Sequence, residues 1–249
     1  MTNHIALVTG ANRGLGEEMS LQLGRKGFTV LMGVRDVSKG EAAAAAIRRK
    51  GVDAHVINID MSNPTVIAAA VKMVDAEFGR LDVLVNNAAI LNDVGINPSE
   101  TEESVLRQNF EVNFFGPFLL TRDLVPLLRK STAGRVLNLG TQVGSFSNLG
   151  DPDSPLKDDI CAAYQASKIA LNAATALFAK ELAPQGIKVN SVCPGWVMTD
   201  MGHENLPDYG DAVKPLTPPE AIEQMLWLVE ADDSAPTGGF YSQGEAIPW

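Results

Sequence analysis

A glycine-rich turn close to the first residue limits this chain to a few folds. The apolar run from Ile5 to Val8 is typical of a buried strand, and it leads into Thr9-Gly10-Ala11-Asn12-Arg13-Gly14-Leu15-Gly16 and a helical pattern. Three glycines between a strand and a helix let the backbone turn tightly and approach a ligand closely. Because a helix N-terminus presents N–H groups and partial positive charge, the turn predicts a site for the diphosphate of a dinucleotide. The alternative is a glycine turn with a structural role alone.

Strand-like and helical segments alternate along the rest of the 249 residues. Apolar runs predict strands at 28–34, 54–59, 81–85, 135–139 and 187–192, with a last short one at Phe240 and Tyr241. Helical patterns lie at 41–50, 62–78, 101–129, 160–182 and 219–230, and Gly116-Pro117 predicts a kink in the longest. Alternation of this kind indicates βαβ units. We therefore predict an α/β fold, with one doubly wound, three-layer domain over residues 1–249 and a parallel sheet.

Composition argues against several classes of partner. Twenty Lys and Arg residues against 30 Asp and Glu give a formal charge of −10, which argues against nucleic acid or an anionic membrane surface as a general partner. Cys161 and Cys193 form no C-x-x-C pair, so free thiols in a reducing compartment are expected. The histidines are scattered without metal-ligand spacing, so no metal site is predicted. Because neither a signal peptide nor a run of about 18 apolar residues occurs, we expect a cytoplasmic protein.

The end of the second predicted strand selects between the two nicotinamide dinucleotides. An acidic side chain there binds the ribose 2′-hydroxyl of NAD, whereas a basic one pairs with the 2′-phosphate of NADP. The position expected to hold the acid is Val34, and Arg35 follows it. Arg13, within the glycine turn, is a second cation for the same phosphate. Two converging arginines predict NADPH (NADP+) as cofactor. The alternative is two solvated arginines, with Asp36 as the acid of an NAD site.

Two further strand ends are candidates for the adenosine half of the cofactor. Asp60, followed by Met61, comes just after the third strand and is placed to accept a hydrogen bond from the adenine amine. A helix-capping aspartate is the alternative. Asn86-Asn87-Ala88-Ala89 closes the fourth strand. Its small and amide side chains suit the adenosine ribose, and they equally suit hydrogen bonds that join strand ends.

Tyr164 and Lys168 lie four residues apart in the helical pattern at 160–182. On a helix this spacing places both side chains on one face, with their Cβ atoms about 5–6 Å apart. A neighbouring ammonium favours the phenolate and lowers the pKa of tyrosine, so that it can exchange a proton near neutral pH. The pattern alone is common in surface helices, so its meaning depends on the glycine turn and its cofactor.

These pieces, in this order, resemble the short-chain dehydrogenase/reductases from one end of the chain to the other. The resemblance rests on a set of motifs: Thr9-Gly10-x-x-x-Gly14-x-Gly16, Asp60, Asn86-Asn87-Ala88-Ala89, Asn113 in Glu111-Val112-Asn113, Tyr164-x-x-x-Lys168 and Pro194-Gly195. Arg35-Asp36-Val37 followed by Lys39-Gly40 is similar to the NADPH-dependent carbonyl-reductase branch. The resemblance implies a seven-stranded Rossmann sheet and hydride transfer between a nicotinamide and a carbonyl or alcohol carbon.

The resemblance also implies roles for the site residues. Tyr164 is the general acid that protonates the carbonyl oxygen in reduction. Lys168 lowers the pKa of that tyrosine and binds the hydroxyls of the nicotinamide ribose, and Asn113 holds a water in a proton relay to Lys168. The residues that it places at the nicotinamide carboxamide follow the sixth strand: Pro194, Gly195, Val197 and Thr199.

Two departures from the family pattern stand near the catalytic pair. Thr141 takes the place of the serine that usually hydrogen-bonds the substrate carbonyl, and its methyl group is expected to restrict the pocket. Ser145 is the second candidate for this role. Residues 142–163 are longer than the common family loop and have the composition of a surface loop. That loop either borders the pocket or covers a helix surface used for subunit pairing, which leaves a homo-oligomer, dimer or tetramer, open.

The substrate is the least constrained part of the prediction. Residues 195–218 are rich in Gly, Pro, Asp and Asn, and we expect a mobile surface segment that serves as a lid. Candidate substrate contacts, each with simple packing as the alternative, are Trp196, Val197, Met198, Met201, His203, Val143 and Phe146. They suggest an apolar small-molecule carbonyl compound. We therefore predict an oxidoreductase that reduces an aldehyde or ketone with NADPH. An NAD-dependent alcohol or sugar dehydrogenase and a non-catalytic NADPH-binding sensor are the alternatives.

Overall fold

An eight-stranded sheet forms the centre of the computed structural model, which describes residues 4–204, 214–230 and 234–249. The strand order is β3-β2-β1-β4-β5-β6-β7-β8, and every neighbouring pair is parallel except β7 and β8. The strands are β1 (Ile5–Thr9), β2 (Thr29–Val34), β3 (Ala54–Asn58), β4 (Val83–Asn86), β5 (Arg135–Leu139), β6 (Lys188–Cys193), β7 (Phe240–Ser242) and β8 (Glu245–Ala246). The seven predicted strands are all present, and the two-residue β8 is added at the edge.

Helices cover both faces of the sheet, as the alternating pattern predicts. They are α1 (Gly14–Arg25), α2 (Val37–Arg48), α3 (Pro64–Phe78), α4 (Glu103–Phe110), α5 (Gly116–Leu128), α6 (Phe146–Gly150), α7 (Ala162–Leu182), α8 (Asp200–Glu204) and α9 (Pro218–Glu230). In β1 the side chains of Ala6 and Val8 enter one core, and those of Ile5 and Leu7 enter the other. Successive residues of a strand point to opposite faces, so α1, α2 and α9 bury the first core and α3, α5 and α7 the second.

The strand order reverses between β1 and β4, and such a reversal forms the crevice in which doubly wound sheets bind ligands. Val8 of β1 lies opposite Val85 of β4, and Thr9 lies opposite Gly33 of β2. The turn after β1, the end of β2 and the end of β4 therefore meet at one edge of the sheet. Segments that are far apart in the sequence become neighbours there.

The long helical pattern at 101–129 forms two helices separated by a wider turn. α4 ends at Phe110, a π turn spans Glu111–Phe115, and α5 begins at Gly116. A π turn of this kind often marks a functional position. A Cβ on Gly116 would lie 2.8 Å from the Cβ of Met61, so glycine permits this close approach. The irregularity predicted at Gly116-Pro117 therefore lies about one turn earlier in the chain, in the π turn that contains Asn113.

Two segments predicted as irregular loops contain regular structure. Residues 142–163 include a 3₁₀ turn at Gln142–Gly144 and the short helix α6. The predicted lid at 195–218 includes α8, and Val197 forms an isolated parallel bridge with Leu216. Residues 205–213 of that lid lie outside the described part of the chain. Among the described residues, no helix is both long and apolar enough to cross a membrane.

Candidate active site

The glycine turn after β1 is packed so tightly that its glycine positions leave little room for a side chain. Gly10 and Gly14 have φ values of +66° and +56°, in the region that favours glycine. A Cβ on Gly16 would lie 2.6 Å from the Nδ2 of Asn87 and closer still to the carbonyl oxygen of Gly10. Asn87 supports the turn, since its Nδ2 donates to the carbonyl of Thr9 at 2.7 Å. This bare turn leads directly into the N-terminus of α1 and fits the diphosphate of a dinucleotide.

Arg13 and Arg35 line one cleft of about 660 Å³ beside the glycine turn. Arg13 is also paired with Asp200, because its Nη1 donates to Oδ2 at 2.6 Å and both side chains are largely exposed. Asp36 caps α2, and its Oδ1 accepts from the N–H of Lys39 at 3.1 Å. The two predicted phosphate ligands therefore converge, while the acid of the alternative NAD site is already used as a helix cap.

The predicted adenosine contacts lie at the ends of β3 and β4. Asp60 Oδ1 accepts from both the N–H and the hydroxyl of Ser62, while α3 is capped by Asn63. The Nδ2 of Asn86 donates to the side chains of Thr121 and Asn138 at 3.0 and 2.7 Å. The amide pair therefore joins strand ends through Asn86 and supports the glycine turn through its neighbour. Of the remaining predicted cofactor contacts, Met61 and Ala88 lie after β3 and β4, and Asn12 and Leu15 lie in the glycine turn after β1.

Tyr164 and Lys168 lie buried on one face of α7. The Nζ of Lys168 is 5.7 Å from the centroid of the Tyr164 ring and donates to the carbonyl of Leu139 at 2.8 Å. Burial lowers the pKa of Lys168 from 10.5 to about 8. Burial also raises the pKa of Tyr164, and nearby ionisable groups raise it further. The predicted lowering of the tyrosine pKa is therefore wrong for the chain alone, because loss of hydration on burial is the largest effect on this phenol.

Asn113, in the π turn, is held against the segment that follows β4. Its Oδ1 accepts from the N–H of Ile90 at 2.9 Å, and its Nδ2 donates to the carbonyl of Ile90 at 3.0 Å. The same Nδ2 donates to Ser167 Oγ on α7 and to Asn109 Oδ1 on α4, at 3.0 and 3.2 Å. Because these bonds occupy the side-chain amide, a relay water would have to bind the backbone of this residue.

Ser145 is buried and committed to structural contacts. Its hydroxyl donates to the carbonyl of Pro248 at 3.0 Å and accepts from the N–H of Asn148 at 3.3 Å. The first contact holds the C-terminal segment, and the second caps α6. These bonds make Ser145 a poor candidate for a substrate donor.

Thr141 lies two residues after β5 and beside α7, the helix that carries Tyr164 and Lys168. A Cβ on Gly144 would lie 2.8 Å from the Cβ of Lys168 and 3.2 Å from the Cγ2 of Thr141, so these two side chains flank that glycine. This placement beside Lys168 favours Thr141 over Ser145 as the second hydrogen-bond donor of the site.

The segment after β6 returns to the glycine turn. Gly195, which follows Pro194, has a φ of +79°. Val197 is buried and bridges to Leu216, while the side chain of Thr199 would contact a Cβ on Gly14 at 3.3 Å. Of the predicted carboxamide contacts, Thr199 therefore stands close to the start of α1.

The candidate substrate contacts have different environments. Trp196 Nε1 donates to the carbonyl of Gly202 at 3.0 Å, so this side chain packs within its own segment. Met201 lines the same cleft as the two arginines, and Met198 and Phe146 are exposed. Val143 lies in the 3₁₀ turn after Thr141, and the side chain of His203 lies outside the described part.

Asp93 is a buried acidic residue that the sequence patterns did not identify. It is 0% exposed in the segment after β4, and its Oδ2 accepts from the N–H groups of Ala163 and Tyr164. These partners lie 70 and 71 residues further along the chain. A local pattern cannot signal so distant a contact, so only the folded chain reveals it.

The sequence profile of short chain dehydrogenases matches residues 4–210. The chain belongs to the short-chain dehydrogenase/reductase family. This family of oxidoreductases accounts for the reversed strand order, the glycine turn and the Tyr164–Lys168 spacing together. The predicted family and the predicted Rossmann fold are thereby confirmed.

Individual relatives of this short-chain dehydrogenase/reductase differ in their reactions. The chain is 34% identical over 243 residues to a cyclopentanol dehydrogenase from Comamonas sp., covering 94% of this chain and 92% of that protein. It is 34% identical over 200 residues to a 3-oxoacyl-(acyl-carrier-protein) reductase from Staphylococcus aureus, covering 79% and 75%. A short chain dehydrogenase from Shigella flexneri, solved with NADP, has a TM-score of 0.86 at 29% identity over 98% of each chain.

Proposed function

We propose that this chain reduces a small aldehyde or ketone to an alcohol, with NADPH as the cofactor. The observation that carries the proposal is the buried pair of Tyr164 and Lys168 beside Thr141 at the carboxyl edge of the sheet. A phenol, an ammonium and a second hydroxyl are the groups that protonate and stabilise an oxygen as it gains charge. A chain that only bound the dinucleotide would have no use for this set.

The choice of NADPH rests on the charges around the cleft. Arg13 and Arg35 line it together, and Asp36 is occupied as the cap of α2. Arginine binds phosphate through paired N–H groups, so these two side chains suit the 2′-phosphate. The NADP bound to the Shigella relative supports the same choice. When bound, NADPH supplies the hydride.

Tyr164 is the group that gives the proton to the carbonyl oxygen. The phenol is protonated at neutral pH, as a general acid must be, because the ordinary pKa of tyrosine is about 10 and burial raises it. Thr141 donates a second hydrogen bond to the same oxygen and stabilises the charge that develops there. Lys168, held by the carbonyl of Leu139, supplies positive charge next to the phenol and the donors for the nicotinamide ribose.

Asn113 acts in this proposal by holding the active-site segments together. Its side chain joins the segment at Ile90 to α7 through Ser167. The carboxamide end of the cofactor is assigned to Pro194, Gly195, Val197 and Thr199 on the segment after β6, and the contact of Thr199 with Gly14 supports this assignment. Location in the cytoplasm and a small-molecule partner remain predictions.

The test is a set of aldehydes, ketones and quinones assayed by absorbance loss of NADPH and of NADH. We expect turnover with NADPH, and Tyr164→Phe is expected to lower kcat about 10²–10⁴-fold with NADPH affinity retained. Tyr241→Phe is the matched control, since Tyr241 lies in β7 against Trp227, and it is expected to keep the normal rate. A near-normal rate in Tyr164→Phe would refute the mechanism.

A second candidate function is oxidation of an alcohol, with NAD as the cofactor. The match to a cyclopentanol dehydrogenase over 94% of the chain favours an alcohol as the substrate. Strong preference for NADH in the same assay would support it and would remove the role given to Arg13 and Arg35. Tight NADPH binding without turnover would instead indicate a sensor.

A further inference from the structure

A short segment after β4, residues 90–93, is hydrogen-bonded both to Asn113 in the π turn and to the start of α7, the helix that holds Tyr164 and Lys168. At one end, the backbone of Ile90 is clamped by the side chain of Asn113 through both its N–H and its carbonyl. In the middle, Asn92 Oδ1 accepts from Asn109 Nδ2 at 2.6 Å. The segment therefore follows the π turn and α4 closely.

At its other end this segment holds the start of α7. Asp93 Oδ2 accepts from the N–H of Ala163 at 2.6 Å and from that of Tyr164 at 3.3 Å. Cys161 occupies the cap position of α7, and its side chain makes no capping hydrogen bond within the described structure. Asp93 thus does from a distant segment what a local capping residue does at other helices.

The contacts close into a ring. Tyr164 accepts, through its carbonyl, from the hydroxyl of Ser167 at 2.7 Å, and Ser167 accepts in turn from Asn113. From Asn113 the ring continues through Ile90 to Asp93 and back to Tyr164. One of its members, Tyr164, carries a proposed catalytic function, and Asp93 is the one acidic member of this ring.

We propose that Asp93 is a positioning residue for the reduction proposed above: through its hydrogen bonds to the first turn of α7, it sets where Tyr164 stands. The inference rests on the proposed function. It goes beyond it because it assigns a role to a residue that contacts only the backbone of the catalytic helix.

Several charged and titratable groups face the phenol of Tyr164. Lys168 approaches its ring, and Cys161, Cys193 and Asp93 act on it electrostatically. Burial is the largest cause of the raised pKa of Tyr164, and the negative charge of Asp93 raises that pKa further. The second oxygen of Asp93, Oδ1, is buried without a hydrogen-bond partner among the described residues.

The experiment compares three variants with the full-length protein. Asp93→Ala removes both the bonds and the charge, and Asp93→Asn keeps an oxygen that can accept from α7 while it removes the charge. Asn63→Ala is the matched control, because Asn63 Oδ1 also accepts from two backbone N–H groups, at the start of α3 and away from the catalytic helix. Amide hydrogen exchange is measured without cofactor, and kcat, KM, NADPH affinity and the pH profile are measured with it.

Asp93→Ala is expected to speed exchange at Ala163 and Tyr164 about tenfold or more, and to lower kcat about tenfold or more. NADPH affinity and KM are expected to change by less than about threefold, since the glycine turn and the arginines are untouched. Asp93→Asn is expected to keep exchange and the maximal kcat within about threefold. Asn63→Ala is expected to lower the melting temperature only.

The pH profile separates positioning from simple stabilisation. Reduction needs the protonated phenol, so the rate falls as pH rises through the pKa of Tyr164. Removing a nearby negative charge favours the phenolate and lowers that pKa. In Asp93→Asn the fall in rate is therefore expected about half a pH unit or more below that of the unmodified chain.

Normal exchange at Ala163 and Tyr164 in Asp93→Ala would overturn the inference, whatever the activity. An unshifted pH profile in Asp93→Asn would overturn the role of the charge, and this variant also decides the matter if Asp93→Ala does not fold. Equal losses of kcat and NADPH affinity in Asp93→Ala would indicate a structural role alone and would overturn it too. An unmodified chain without turnover refutes the proposed function instead, and the exchange measurement still tests the contact.

Discussion

Lys168 is a buried ammonium whose charge destabilises the folded chain, and replacing it by methionine should make this visible. Lys168 is 2% exposed, and burial lowers its pKa from 10.5 to about 8. At about 1.4 kcal/mol per tenfold change in proton affinity, that lowering corresponds to roughly 3 kcal/mol of destabilisation when the lysine is charged in both states. The full penalty applies below the folded-state pKa, at neutral pH.

The sign of the pH dependence follows from proton binding. Between pH 8 and 10.5 the unfolded chain holds this proton more tightly than the folded chain, so the free energy of unfolding rises with pH. Lys168→Met lacks the titration, and loss of the bond to the carbonyl of Leu139 adds an offset of about 1–3 kcal/mol that does not depend on pH. The unmodified chain is therefore expected to gain roughly 2 kcal/mol over Lys168→Met between pH 7 and 9.5.

Urea unfolding of both proteins at a series of pH values measures the difference directly. Lys180→Met is the matched control for the loss of a lysine from the same helix, because Lys180 is exposed. The rate of carbonyl reduction by Lys168→Met should fall sharply. Such a fall would show that Lys168 serves catalysis although its buried charge lowers the stability of the folded chain. Parallel stability curves for Lys168→Met and the unmodified chain would refute the burial argument.

Three further predictions concern the crevice. Thr141→Ala is expected to lower kcat about tenfold or more with NADPH affinity retained, whereas Ser145→Ala should lower only the melting temperature; the opposite result would exchange their roles. Asp200→Asn should tighten NADPH binding up to about fivefold at low salt without affecting NADH, because Asp200 competes with the phosphate for Arg13. Fluorescence titration at two salt concentrations measures this, and an equal effect on NADH would contradict it. Gly16→Ala should weaken both dinucleotides about tenfold or more, and unchanged affinity would mean that the turn does not hold the diphosphate.

Local patterns were sufficient for the framework of the molecule. The strand predicted at 135–139 is β5, and the helix predicted at 160–182 begins two residues later, as α7. Apolar runs and glycine turns act over a few residues, so their effect can be read along the chain. The placement of Tyr164 and Lys168 on one face of a helix could also be predicted from the sequence, because it follows from helical spacing alone.

Contacts between distant segments could not be predicted in this way. Ser145 is a poor candidate for a substrate donor because its hydroxyl donates to the carbonyl of Pro248, 103 residues further on. The helical pattern at 101–129 gave no sign of the π turn, because the same residues suit either turn and packing against the neighbouring segments decides between them. Asp93 looked like an ordinary loop residue for the same reason.

The sequence by itself determined the doubly wound sheet, the glycine turn and the Tyr164–Lys168 spacing, since each depends on neighbours along the chain. Only the tertiary structure decided to what Ser145 is bonded, which acid holds the helix of Tyr164 and in which direction the pKa of Tyr164 moves. Those outcomes depend on burial and on contacts between residues 70 or more positions apart. Burial in particular raises the pKa that Lys168 was expected to lower, because an ionised group loses its hydration only when the whole domain has closed around it.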